Sequence, residues 1–210
     1  ANVILGRLIA GVWSPFALSV WRWGLALLVL LPIAGPALLR HWPAIRRHVR
    51  LIMLLGLLTV GLFNTLLYVA LNYTSAINVA LINSTTPIAI LLLSRILIGS
   101  RMAPRVIVGV SLGLLGAAII VTRGDLGTLL QLRFNIGDLI QSVAVLIWAL
   151  YSVLLQRHPV PLPPLVLQLA MTAVGVPVLC TIFLVMPSHG VELPRQLSDG
   201  LMLAYVARGV

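Results

Sequence analysis

The chain has 210 residues, of which 60% are hydrophobic and 9% charged, with a formal net charge of +10. A soluble domain carries about 25% charged residues, and a mean hydropathy of +1.12 leaves more apolar surface than a water-facing globule could bury. A bilayer accepts such surface, so composition excludes the soluble class and points to an all-α integral membrane protein.

A spanning helix needs about 20 apolar residues. Such runs fall at 1–12, 15–39, 51–71, 75–98, 106–122, 137–155 and 165–186, and an eighth begins near Leu201. The first run starts at Ala1 and the last is still running at Val210, which suggests a fragment of a longer chain with about seven and a half transmembrane helices.

The first run holds Arg7, and the second, opening on Pro15, holds Arg22. Proline suits a first helical turn. If Trp13-Ser14 is an outer turn, both arginines lie about 10 Å below the outer surface at 1.5 Å per residue. A charge at that depth is costly and usually faces a cavity or a partner. Two guanidiniums at one level suit a carboxylate or another anion. Snorkelling to the interface is their other use.

Next comes RHWPAIRRHVR, residues 40–50, a basic segment between two spans. The third run places Asn64, Tyr68 and Asn72 at spacing four, on one helix face. The fourth offers Asn78, Asn83, Ser84, Thr85 and Thr86 ahead of Pro87, which should kink the helix and free a carbonyl. Broken helices often line transport sites, although such polar groups also serve as helix-to-helix contacts. After the basic loop GSRMAPR at 99–105, the fifth run carries Gly109, Gly113 and Gly116, a small-residue face for helix packing.

Segment 123–136 mixes Arg123, Asp125 and Arg133. The sixth run places Asp138, Gln141, Val145, Trp148 and Ser152 on one stripe, with Tyr151 beside it. Asp138 reads as a first-turn helix acid. Trp148 and Tyr151 lie mid-span, away from the interfacial belt, where they could meet a substrate or fill a core. A proline-rich turn, QRHPVPLPP, occupies 156–164, and the seventh run contains Cys180, the single cysteine, read as a small core residue.

Alternate connections differ in charge. One side collects Arg40, Arg46, Arg47, Arg50, Arg95, Arg101, Arg105 and Arg157, and the other only Arg123, Arg133 and Arg195. This positive-inside bias places loops 40–50, 99–105 and 156–164 in the cytoplasm of a plasma (bacterial inner) membrane. A short loop between spans is a poor nucleic-acid site, so no nucleic acid is expected. Attraction to anionic membrane lipid follows from the same arginines.

The sixth run, like the first, leads into a proline-containing turn and another span. If helices one to five form a unit, the second begins at helix six, and five being odd inverts it in the membrane. Residues 1–122 then form a first five-helix repeat with a truncated first helix. Residues 123–136 form an external linker and 137–210 the start of a second, incomplete repeat. Inverted repeats are a transporter device with a site near the midplane.

Three stretches, NVILGRLIAGVWSPFALSVWRWGLALLVLLP at 2–32, ALNYTSAINVALINSTTPIAILLLSRILIGSRM at 70–102 and GDLIQSVAVLIWALYSVLLQR at 137–157, resemble the EamA-type drug/metabolite transporter superfamily. The resemblance implies a ten-helix inverted-repeat bundle with both termini cytoplasmic, exporting amino acids or other small metabolites. Many members read Gly-Glu where this chain reads Gly99-Ser100, which removes a carboxylate from that end.

The expected function is therefore a secondary transporter of carboxylate-bearing small molecules by alternating access, with Arg22, Arg7, Asn64, Tyr68, Asn78, Asn83, Trp148 and Tyr151 as substrate-binding candidates and Pro87 as the kink. A retinal pump would need a lysine, and all fourteen basic residues are arginine. A membrane-embedded enzyme or a lipid-handling protein is the rival reading. However, His41, His48, His158 and His189 all fall in connections, and no catalytic residue, metal or cofactor is implied. Oligomeric state is not legible.

Overall fold

The computed structural model describes residues 15–100, 103–122 and 134–185. Arg7 with the first run, most of the 123–136 linker and the eighth run lie outside the described residues. Within them the chain is helical: α1 is Pro15–Arg40, α2 Trp42–Arg47, α3 Val49–Tyr73, α4 Ala76–Ile98, α5 Pro104–Thr122, α6 Ile136–Arg157 and α7 Pro164–Val185. Five of these are long and apolar enough to cross a membrane, and the apolar stretch of α5 is shorter. The boundaries fall within two residues of those expected.

The helices bury one face and offer the other to lipid. On α1, small residues recur inward, with Ser19, Ala26 and Ala34 buried and Leu28, Val29, Leu31 and Ile33 exposed. α1 packs mainly on α7, while α6 lies against both α3 and α4. Close backbone approach occurs where glycine removes the side chain. A Cβ on Gly56 would sit 2.6 Å from Met171 O, one on Gly137 would sit 2.8 Å from Ala70 O, and one on Gly175 would collide with Val60. Gly109, Gly113 and Gly116, expected to pack a neighbour, meet nothing within 4 Å among the described residues. The α5 face around them, with Leu112, Leu115 and Ile119 exposed, is apolar outward.

Segment 40–50, expected as a loop, is instead helical. Its turns at His41 and His48 are each closed by the ring Nδ1–H donating to the carbonyl four residues back, Ala37 at 2.8 Å and Ala44 at 3.0 Å. A carbonyl only accepts, which fixes the tautomer. The segment folds because Ile45 has a core to enter. It is 7% exposed, packed with Ile52, Leu55, Val166 and Met171.

Two irregularities interrupt the spans. α3 widens to a π-helix over Leu57–Phe63, which was not anticipated. α4 breaks between Ser84 and Thr86, at the step marked by Pro87. A proline removes the hydrogen bond to the carbonyl four residues back, here that of Asn83. The Thr86 hydroxyl donates to it at 2.6 Å, while Ser84 and Thr85 donate to Leu81 and Ile82 at 2.6 and 2.7 Å. The helix ends at Gly99, whose φ of +73° is the left-handed conformation that glycine accepts. Where a Gly-Glu step would carry a carboxylate, the Ser100 hydroxyl pairs with Ser94 at 2.8 Å.

Candidate functional site: a polar layer below the α3–α4 hairpin

At 1.5 Å per residue, Arg22 lies about 10 Å into α1, Asn83 about 10 Å into α4 and Gln141 about 8 Å into α6, while Tyr68 and Asn64 lie about 8 and 14 Å from the end of α3. These helix ends share one side of the bundle, since Gly137 abuts Ala70 and Thr74. The residues therefore lie at similar depth, in two polar groups: Arg22 with Asn64 and Tyr68, and Gln141 with Asn83.

Arg22 is the cation of the first group. Its Nη1 donates to Asn64 Oδ1 at 3.0 Å and to the Tyr68 hydroxyl at 2.9 Å. Both acceptors are buried, at 6% and 5% exposure. Their spacing of four puts them on one α3 face, and the wide turn below orients them. Asn64 Nδ2 donates to Thr59 O at 3.3 Å inside the π segment, which turns Oδ1 toward Arg22. The guanidinium also lies 5.5 Å from the Trp23 ring centroid. Beside it, the Thr65 hydroxyl donates to Ser19 Oγ at 3.4 Å. A guanidinium held in this way is aimed before any anion arrives.

Across the layer, Gln141 Nε2 donates to Asn83 Oδ1 at 2.8 Å, tying α6 to the broken turn of α4. Gln141 is fully buried, and among the described residues its Oε1 has no hydrogen-bond partner. A buried carbonyl oxygen without a donor is costly in a folded protein.

Other expected residues sit elsewhere. Asn78 Nδ2 donates to both oxygens of Asp138 at 3.1 Å, and its own Oδ1 accepts from Ser75 at 2.9 Å. Asn78 therefore belongs to a knot at the hairpin end. There the Thr74 hydroxyl donates to Asp138 at 2.6 Å, and Asn135 and Asp138 cap α6 reciprocally. Asn72 is exposed and donates to Tyr68 O at 2.8 Å. The Trp148 ring packs at a tilt against Phe63 and Tyr151, with centroids 4.7 and 5.3 Å away. This aromatic string begins next to Asn64 and ends at Tyr151, on the core around Ile52 and Leu55.

The π turn had no sequence signal. Asn135 did, since Asn followed three residues later by an acid is a helix-start pattern.

The family model for the EamA-like transporter family matches residues 1–122. The chain belongs to that family. It is also similar to a Bacillus subtilis (strain 168) protein named "Uncharacterized transporter YyaM", 32% identical over 157 residues, covering 75% of this chain and 52% of the relative. The chain thus spans about half the length of that curated relative. No solved structure matches it. Membership of a helical transporter family agrees with the five spanning helices, and the chain is an integral membrane protein.

Proposed function

We propose that the chain is part of a secondary transporter that exports amino acids or related carboxylate-bearing metabolites across the bacterial inner membrane. The observation that carries this is Arg22, held at depth by Asn64 and Tyr68 in a layer bordered by a π turn and a broken helix. A guanidinium forks onto a carboxylate, and Gln141 Oε1 accepts from an ammonium. Arg22 is the group that would take the carboxylate, and Gln141, on the α6 side, is the candidate acceptor for the ammonium once the bundle opens. Asn83, and Trp148 with Tyr151 on the basic side, would line the remainder, with Arg7 as a second cation. Asn78 holds the hairpin end through Asp138 and does not line the site. The family and the transporter name of the relative favour transport over catalysis.

In this reading the whole protein has ten helices in two inverted repeats, 1–122 and from 137 onward. They rock about the polar layer, with the arginine-rich end cytoplasmic. The test is export of a labelled amino-acid panel from cells expressing the full-length protein, compared with Arg22→Gln and Arg22→Lys at equal abundance. A lost charged hydrogen bond costs about 1.5–3 kcal/mol, or roughly ten- to hundredfold in half-saturating substrate for Gln. Lys should fall between, since it keeps the charge and loses the fork. Export with Arg22→Gln at parental affinity would refute the anion site, and no export of any carboxylate would refute the substrate class.

A further inference from the structure

At the end opposite the polar knot, positive charge is gathered in one place. Arg46, Arg47, His48 and Arg50 from the α2–α3 junction and Arg157 and His158 from the end of α6 line a cavity of about 870 Å³. Asp138, the only acid among the described residues, is nineteen positions from Arg157 along α6, about 28 Å away. Among the described residues no side-chain carboxylate therefore answers these arginines. The Arg157 Nη1 donates to Leu97 O at 2.8 Å, which fixes that guanidinium.

A positive-inside signal requires charge but no shape. This cavity has shape. Ile45 anchors α2 in a core that also takes Leu51, Leu154, Leu155 and Val160, so the two arginine groups are held at a set separation. Next to the cavity the surface turns apolar. Trp42, Val49, Met53 and Leu54 are 51%, 42%, 51% and 41% exposed, and Val49 and Met53 follow each other at spacing four along α3. Convergent guanidiniums suit phosphate oxygens. The adjoining apolar strip is what separates a lipid from a free anion.

We propose that this cavity binds the phosphate of an anionic phospholipid, with its acyl chains along Val49, Met53 and Leu54. The site is independent of the substrate layer and of the direction of transport.

The test uses the purified full-length protein in neutral detergent. Thermal unfolding is followed while phosphatidylglycerol, phosphatidylcholine or inorganic phosphate is added. The cavity variant is Arg47→Gln with Arg50→Gln, both exposed. The control is Arg40→Gln with Arg105→Gln, which removes the same charge from the same end but not from the cavity lining. Phosphatidylglycerol is expected to raise the unfolding temperature more than phosphatidylcholine. Its half-saturating concentration should rise about 30-fold in the cavity variant, from about 1 kcal/mol per arginine, and stay parental in the control. Equal loss in both variants would replace the site with diffuse surface charge. Equal protection by the two lipids would refute anion binding, and full protection by inorganic phosphate alone would refute the lipid. Unfolding temperatures without lipid report whether each variant folds.

Discussion

Replacing Asp138 should loosen the hairpin end of the bundle more than any other single polar change. The side chain is 1% exposed, and its oxygens accept from the Thr74 hydroxyl at 2.6 Å, Asn78 Nδ2 at 3.1 Å and Asn135 N–H at 3.0 Å. It thereby joins the end of α3, the start of α4 and the cap of α6. Asp138→Ala leaves three donors facing a void, each costing about 1–3 kcal/mol. Partial relaxation brings the total to about 3–5 kcal/mol, the usual cost of breaking a buried charged contact. Asp138→Asn keeps the shape but turns an amide against donors, so about 1–3 kcal/mol is expected. Denaturant titration of the purified protein in detergent measures both, and adding Asn78→Ala to each gives the coupling between the two residues. An Asp138→Ala protein within about 0.5 kcal/mol of the parent, the range of ordinary surface changes, would refute the account of the knot.

Two further substitution sets test the fold. Gly56→Ala or Gly175→Ala should destabilise by about 1–3 kcal/mol through overpacking, whereas Gly109→Ala and Gly113→Ala, which meet no neighbour within 4 Å among the described residues, should be neutral or gain up to about 1 kcal/mol from helix propensity. Thermal unfolding of the four variants side by side distinguishes these. Pro87→Ala restores a donor for Asn83 O in competition with Thr86. It should leave the unfolding temperature equal or raised and, on the proposed function, slow export several-fold in the panel assay.

The spans were legible because lipid imposes a length and an apolar composition on each one. Pro15 and Pro87 mark their positions by backbone chemistry alone. Spacing of four was enough to pair Asn64 with Tyr68. What the sequence did not show was which faces meet. The glycines of α5 looked like a packing face, whereas the close approaches among the described residues use Gly56, Gly137 and Gly175, since a small residue permits contact without specifying a partner. Asn78 looked like a site residue and binds Asp138, a pairing across sixty positions that no local pattern encodes. The arginines of 40–50 masked a helix, because the single buried anchor, Ile45, is invisible until the core around it exists.

The wide turn of α3 sets the phase of that helix. Before it, Gly56 faces Met171, and within it Val60 abuts Gly175, both on α7. After it, Asn64 and Tyr68 face Arg22, and Ala70 abuts Gly137. One continuous span thus keeps two sets of neighbours, with its azimuth reset at Leu57–Phe63. If the bundle rocks during transport, the seam between its moving parts runs across the middle of α3 as well as between helices, and the polar layer sits at that swivel.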